Sequence, residues 1–141
     1  MKKIIITALV SIMILSLNGC SGTVSSTTAT TTNQILQYKQ ITQDEAKEMM
    51  AKDDGHVIVD VRRQDEYDAG HIPGAILIPN ESIDQTRPNE LPDLDQIILV
   101  YCRSGRRSKE ASEKLAKMGY TKIYEFGGII TWNGETVKND S

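Results

Sequence analysis

Residues 97–108 read IILVYCRSGRRS, and this stretch decides how the chain is interpreted. Its apolar first half predicts a buried strand, and the apolar spacing from Ser108 to Met118 predicts a helix. Cys102 would therefore lie between the end of a strand and the start of a helix, where free backbone N–H groups and the helix dipole favour an anion. The three arginines beside it also favour the thiolate, which is the nucleophilic form of cysteine. The stretch predicts sulfur chemistry on an anionic substrate. The alternative is that Cys102 is a buried packing residue.

The rest of the chain alternates between helix and strand patterns. Strands are predicted at 56–60, 75–78, 97–101 and 122–126. Helices are predicted at 42–51, 64–69 and 108–118. Short helical turns are expected at 82–85 and 129–133, and turns at 70–74 and 127–128. This alternation predicts an α/β fold with a parallel sheet and helices on both faces. In such sheets the ligand crevice lies beyond the carboxyl ends of the strands, where Asp60 and Cys102 both fall.

The N-terminus has the pattern of an export signal. Two lysines precede an apolar run that is too short to cross a membrane comfortably, and a small residue and a cysteine follow it. Residues 17–20 (LNGC) resemble the lipobox of bacterial lipoproteins, in which the cysteine is lipidated and becomes the mature N-terminus. We expect a signal peptide at 1–19 and a lipid on Cys20, with a plain secretory signal or an uncleaved anchor as the alternatives. The rest of the chain would then be anchored to a membrane by the lipid, facing outside the cytoplasm.

Composition sets the limits of the folded domain. Much of 20–37 is uncharged, rich in Ser and Thr and poor in large apolar side chains, which is typical of a flexible tether. The folded domain is therefore expected at 38–137, a normal size for one core, with a tail at 138–141.

Charge and cysteine usage exclude several classes of function. The formal charge of the chain is −3, and it becomes −5 without 1–19, because that segment contains two lysines and no acid. This acidic balance argues against nucleic-acid partners and against electrostatic docking on anionic lipid. With Cys20 lipidated, Cys102 has no disulfide partner, which is typical of a reactive thiol. His56 and His71 are isolated in sequence, so neither a metal site nor a cofactor is expected.

A set of short motifs resembles the single-domain rhodaneses, in the same order along 38–132. These are Asp60-Val61-Arg62, Glu66-Tyr67, 70–75 (GHIPGA), Ile78-Pro79, 102–108 (CRSGRRS), Gly127-Gly128 and Trp132. The resemblance implies a five-stranded parallel sheet flanked by helices and a catalytic cysteine, Cys102, that carries a persulfide.

The resemblance also implies roles for the neighbouring residues. The loop from Cys102 to Arg107 would surround the outer sulfur with N–H groups, which makes Arg103, Ser104, Gly105, Arg106 and Arg107 the substrate-binding residues. Asp60 and Arg62 would brace the neighbouring loops, and Ser108 would support the site or cap the helix. Of the arginines, we expect Arg107 to be the most structural and Arg103 the most exposed, with at least one in solvent or paired with Asp60 or Glu66.

The implied reaction moves sulfur from a thiosulfate-like anion to a thiol or to cyanide, in a protein expected to be a monomer. The alternative is a membrane-tethered module that binds sulfur or a partner with little turnover. A thiol-redox role is less favoured because no resolving cysteine is present.

Phosphatase chemistry is the rival use of a cysteine in such a loop. A phosphatase would need His before the cysteine and Arg at the position of Ser108, whereas Tyr101 precedes Cys102 here. His71 could be a general base, but its Gly-rich turn favours a structural role.

Overall fold

The computed structural model describes residues 38–139, so the predicted signal peptide, the tether and Cys20 lie outside the described residues. Five parallel strands of this part form one sheet, in the order β1-β5-β4-β2-β3. The strands are β1 (Lys39–Gln40), β2 (Val57–Asp60), β3 (Ala75–Leu77), β4 (Ile97–Cys102) and β5 (Lys122–Gly128). The helices are α1 (Gln43–Met50), α2 (Gln64–Asp68) and α3 (Arg106–Lys117), with short 3₁₀ turns at Asn80–Ser82 and Ile129–Thr131. This confirms the predicted fold class.

The two faces of the sheet bury separate apolar clusters, because successive strand residues point to opposite sides. Val59, Ile98 and Val100 pack in the cluster that contains Ala111 and Leu115 of α3. On the other face, Ile58, Leu99 and Tyr101 share a cluster with Ala46 of α1, and Tyr67 of α2 packs against it. The central strand β4 is therefore buried on both sides, which explains its continuous apolar sequence.

The start of α1 is set by local chemistry. The hydroxyl of Thr42 accepts a hydrogen bond from the N–H of Glu45 at 3.1 Å, and the Glu45 carboxylate accepts one from the N–H of Thr42 at 2.8 Å. This reciprocal capping box satisfies two donors that the helix itself leaves free. The capping pattern in the sequence predicted this helix start correctly.

Apart from shifts of one or two residues at other element ends, the structure differs from the sequence prediction in one strand and three further places. β1 was not predicted, because its two residues are both exposed and show no alternation. The 3₁₀ turn lies at 80–82 instead of 82–85, and α3 begins at Arg106 instead of Ser108. Gly127 and Gly128 belong to β5, where the pairing with β4 shifts register between Val100 and Cys102. This irregularity lets the strand continue past a positive φ of 91° at Gly127, which in sequence looked like a turn.

Within residues 38–139, no helix combines the length and the apolar character needed to cross a membrane.

Candidate active site

The site lies where β2 and β4 end side by side. Asp60 is the last residue of β2 and pairs in register with Tyr101, the residue before Cys102. Parallel strands bring their carboxyl ends to one edge of the sheet. The side chains predicted from the sequence therefore meet at this edge.

The stretch from Cys102 to Arg107, called the Cys102 loop below, turns sharply around the sulfur. Cys102 is buried, with 1% of its surface exposed, and the N–H of Gly105 donates to its Sγ at 3.1 Å. Gly105 has a φ of 98°, which only glycine adopts readily. Because α3 begins at Arg106, the first turn of this helix lies next to the sulfur. The loop thus brings the Gly105 N–H and the start of α3 close to the sulfur of Cys102.

The Cys102 loop rests directly on the backbone of β5. A Cβ atom added to Gly128 would collide with the carbonyl oxygen of Arg103 and lie 2.5 Å from the Cα of Ser104. The same Arg103 carbonyl accepts a hydrogen bond from the N–H of Ile130 at 3.2 Å. Glycine is therefore required at position 128 to allow this close approach.

Arg107 is held by an ion pair inside the site. Its guanidinium donates two hydrogen bonds to the Glu66 carboxylate, at 2.7 and 2.8 Å, and both side chains are largely buried. This pairing lowers the pKa of Glu66 from 4.5 to about 2, chiefly through the Arg107 hydrogen bonds. The geometry agrees with the expectation that Arg107 is the most structural arginine, and its partner is Glu66 and not Asp60.

The other two arginines of the loop face solvent. Arg103 is exposed, and the Arg106 side chain is 79% exposed, 3.5 Å from the Glu110 carboxylate. Together with neighbouring side chains they line a cleft of about 310 Å³, whose wall residues are Arg63, Glu66, Glu81, Arg103, Ser104, Arg106 and Arg107. Four cations against two carboxylates make this cleft suitable for a small anion.

Asp60 and Arg62 form a buried pair next to the site. Arg62 Nη2 lies 2.6 Å from Asp60 Oδ2 and also donates to the carbonyl of Gly70 at 2.7 Å. Burial acts to lower the pKa of Arg62, but the hydrogen bonds and charge of Asp60 outweigh it and raise the pKa. The pair therefore fastens the end of β2 to the turn after α2.

Ser108 does not cap α3, because the helix has already begun two residues earlier. Its buried hydroxyl lies 2.6 Å from Oε1 of Glu125 and 3.0 Å from the carbonyl of Gly105. Glu125 was not among the site residues predicted from the sequence. Its signal was a glutamate two residues after Ile123, on the strand face that is buried against α3.

His71 occupies a structural position. Its ring stacks on Tyr67 with 3.8 Å between ring centroids, and Nδ1 lies 3.0 Å from the Tyr67 carbonyl. Its backbone exchanges two hydrogen bonds of 2.8 Å with Val137. These contacts favour the structural role over the general-base role. Nowhere in residues 38–139 do three or more His, Cys, Asp or Glu side chains gather in a way that could hold a metal ion.

Comparison with known proteins places this geometry in a family. The family described as "Rhodanese-like domain" matches residues 42–135. The chain is 36% identical over 98 residues to a putative sulfur carrier protein of Bacillus subtilis, YrkF, covering 69% of the chain and only about half (52%) of that relative. It is 34% identical over 107 residues to the thiosulfate sulfurtransferase GlpE of Coxiella burnetii, covering 75% of the chain and 97% of GlpE.

A solved structure supports the same assignment. The rhodanese-like domain protein of Staphylococcus aureus is 32% identical with a TM-score of 0.62, covering 72% of this chain and 99% of that one. The family match spans 94 residues, 42–135, which is more than half of the chain. The chain therefore belongs to the rhodanese-like domain family.

Proposed function

We propose that the protein is a thiosulfate-type sulfurtransferase that carries the transferred sulfur as a persulfide on Cys102. The observation that carries the proposal is the hydrogen bond from the Gly105 N–H to the Sγ of Cys102, in a loop whose Arg103, Ser104, Arg106 and Arg107 line a cationic cleft. Membership of the rhodanese-like family and the similarity to a relative named as a thiosulfate sulfurtransferase support this class of reaction.

In the first step the Cys102 thiolate attacks the outer sulfur of thiosulfate. A new S–S bond forms to Sγ, the S–S bond of thiosulfate breaks, and sulfite leaves with the electron pair of that bond. Arg103 and Arg106, the two exposed cations of the Cys102 loop, attract the thiosulfate dianion to the site. The persulfide that remains is an anion, which backbone donors and the start of α3 stabilise.

In the second step a thiophilic acceptor removes the outer sulfur. Cyanide or a thiolate attacks that sulfur, forms thiocyanate or a new persulfide, and releases the Cys102 thiolate. Because the thiolate is regenerated, the two steps need no oxidant, reductant or metal ion. The cycle predicts ping-pong kinetics, in which sulfite is released before the acceptor binds.

Two rival interpretations fit the site less well. A packing role for Cys102 is consistent with its burial, but it does not explain the Gly105 N–H that donates to the sulfur or the exposed cations of the Cys102 loop. Phosphatase chemistry would place an arginine at position 108, where the structure buries a serine against Glu125.

The name of the YrkF relative favours a second candidate, a sulfur carrier that loads Cys102 but turns over slowly. One experiment separates the two candidates. The purified full chain is incubated with thiosulfate and its intact mass is measured beside a Cys102→Ser control. A gain of one sulfur atom, removed by cyanide at a catalytic rate, supports the sulfurtransferase. Stable loading with slow removal supports the carrier, and no gain on folded, reduced protein rejects thiosulfate as the donor.

We further propose that the protein is exported and held at a membrane by a lipid on Cys20, with the rhodanese-like domain outside the cytoplasm. The lipobox-like LNGC at 17–20 and the tether composition of 20–37 support this localisation. Labelling with a radioactive fatty acid should mark the wild-type chain. Cys20→Ala should remove the label and retain the uncleaved signal, whereas globomycin, which blocks only the cleavage, should give a labelled chain that keeps its signal. Label and membrane attachment that persist after Cys20→Ala would reject the lipid anchor.

A further inference from the structure

Glu125 is a buried acidic residue beneath the Cys102 loop that the proposed reaction does not use. It is 2% exposed, and its side chain leaves β5 on the face covered by α3. No basic side chain among residues 38–139 forms an ion pair with it. A carboxyl group without a cation is unfavourable in an apolar interior unless hydrogen bonds satisfy it. The hydrogen bonds that Glu125 accepts therefore explain how its buried carboxyl group is stabilised.

Oε1 of Glu125 connects two parts of the site. It accepts a hydrogen bond from the Ser108 hydroxyl at 2.6 Å, in the first turn of α3. It also accepts one from the N–H of Gly127 at 2.9 Å, in the irregular part of β5. One oxygen atom thus fastens the helix after the Cys102 loop to the strand on which the loop rests.

The connection continues to the sulfur through Gly105. The Ser108 hydroxyl lies 3.0 Å from the Gly105 carbonyl, and a Cβ on Gly105 would lie 3.7 Å from the Cα of Gly127 and 4.0 Å from Oε1 of Glu125. The peptide N–H of this same glycine donates to Sγ of Cys102 at 3.1 Å. Gly105, whose N–H is the donor to the sulfur among residues 38–139, therefore lies against groups that Glu125 holds.

We propose that Glu125 is a positioning residue for sulfur transfer: through Ser108 and Gly127 it fixes Gly105 so that its N–H meets the sulfur of Cys102. This inference rests on the proposed persulfide chemistry. The interaction acts on the reacting sulfur and not on the cleft that gathers the donor. Its loss should therefore lower the rate of sulfur uptake and leave the half-saturating thiosulfate concentration nearly unchanged.

The test is the single-turnover rate of sulfite release by the full chain over a range of thiosulfate concentrations. Glu125→Leu and Ser108→Ala should each lower the maximal rate about tenfold, with half-saturation changed less than about twofold. Glu125→Gln should retain most of the rate, because its amide oxygen can accept the same two hydrogen bonds. Failure of wild-type protein to release sulfite at all would reject the proposed function instead, so the two failures are distinguishable.

Two matched variants separate positioning from stability. Ser112→Ala removes a buried hydroxyl one turn further along α3 that has no hydrogen-bond partner, so it should keep the wild-type rate. Ile123→Val trims a buried side chain of β5 and should lower the Tm without changing the rate of the folded protein. The proposal is overturned if Glu125→Leu and Ser108→Ala lower only the Tm, as Ile123→Val does. It is also overturned if Glu125→Gln loses as much rate as Glu125→Leu.

Discussion

The loop after β2 and the loop after β4 begin side by side at one edge of the sheet, and both contain arginines. The two loops differ in whether these arginine side chains are buried in ion pairs or exposed to solvent. In the β2 loop, residues 61–63, Arg62 is buried and pairs with Asp60 on its own strand at 2.6 Å. In the Cys102 loop, Arg103 and Arg106 stay exposed around a cleft. Arg62 of the first loop is neutralised and fixes the backbone, whereas Arg103 and Arg106 of the second loop stay exposed, like Arg63 beside them, and are available for an incoming anion.

Arg107 lies between these two cases. It belongs to the Cys102 loop, yet it forms a largely buried pair with Glu66 of α2. Its charge is therefore matched within the protein, as that of Arg62 is. Burial and ion pairing, and not residue type, therefore distinguish an arginine that supports the structure from one that can bind a substrate.

The strongest test of this division replaces the sulfur itself. Cys102→Ser should lower sulfurtransferase activity by at least about a thousandfold, because a serine hydroxyl is a poor nucleophile at neutral pH and forms no persulfide. Thiocyanate formation from thiosulfate and cyanide measures this activity. The variant should still unfold cooperatively in urea. Activity above a tenth of the wild-type value would mean that the sulfur passes through another group.

The largest effect on stability is expected in the β2 loop. Asp60→Ala leaves Arg62 buried without its partner, which should lower the free energy of unfolding by about 3–5 kcal/mol. Urea denaturation measures this loss. The matched control is Asp65→Ala, which breaks the exposed pair with Arg63 and should unfold like the wild type. Equal losses in the two variants would contradict the structural distinction between buried and exposed pairs.

The sequence predicts most of the fold because the core strands depend on local pattern. Val57–Asp60 and Ile97–Cys102 are short runs rich in β-branched or apolar residues, as buried parallel strands require. The end of each apolar run can be recognised in the sequence. Cys102 and Asp60 could therefore be assigned to the edge of the sheet where the carboxyl ends of the strands meet.

The remaining features depend on contacts between residues far apart in the chain. The partner of Arg107 is 41 positions away, and the sequence left both Asp60 and Glu66 open as partners of a loop arginine. The partner of Ser108 is 17 positions away, and no local pattern indicated it. The irregularity of β5 arises where Gly127 and Gly128 meet the Cys102 loop, and a glycine pair alone reads as a turn. β1 is too short and too exposed for any periodicity to mark it.

The ion pair between Arg107 and Glu66 should contribute to stability in a pH-dependent way. The pKa of Glu66 in the folded protein, about 2, lies below its ordinary value of 4.5. The pair therefore stabilises the fold fully above about pH 5, and this contribution is lost as the pH falls toward 2. Glu66→Gln should lower the free energy of unfolding by about 1–2 kcal/mol at pH 7.

Urea unfolding at pH 7, 4 and 3 measures the difference between wild type and Glu66→Gln. The difference should narrow steadily toward the lowest pH, since only the wild type has a carboxylate at position 66, and that group takes up a proton in the unfolded chain below about pH 4.5 while the folded protein keeps it charged. A difference that stays constant over this range would show that the Glu66 charge is not what the pair contributes. Asp65→Gln, on the same helix but exposed, should show no such trend.

The smallest effects are expected from the exposed arginines, and they test the other half of the comparison. Arg103→Gln and Arg106→Gln should each raise the KM for thiosulfate about three- to tenfold, with kcat within about twofold, because they remove attraction for a dianion but no contact with Sγ. The increase should shrink as salt is added, since exposed charges are screened. Arg87→Gln, an exposed cation on the loop before β4 and outside the cleft walls, should leave the KM unchanged. If Arg87→Gln raises the KM as much as the other two, the donor responds to the overall charge of the protein. The exposed cations of the Cys102 loop would then not be a specific anion site.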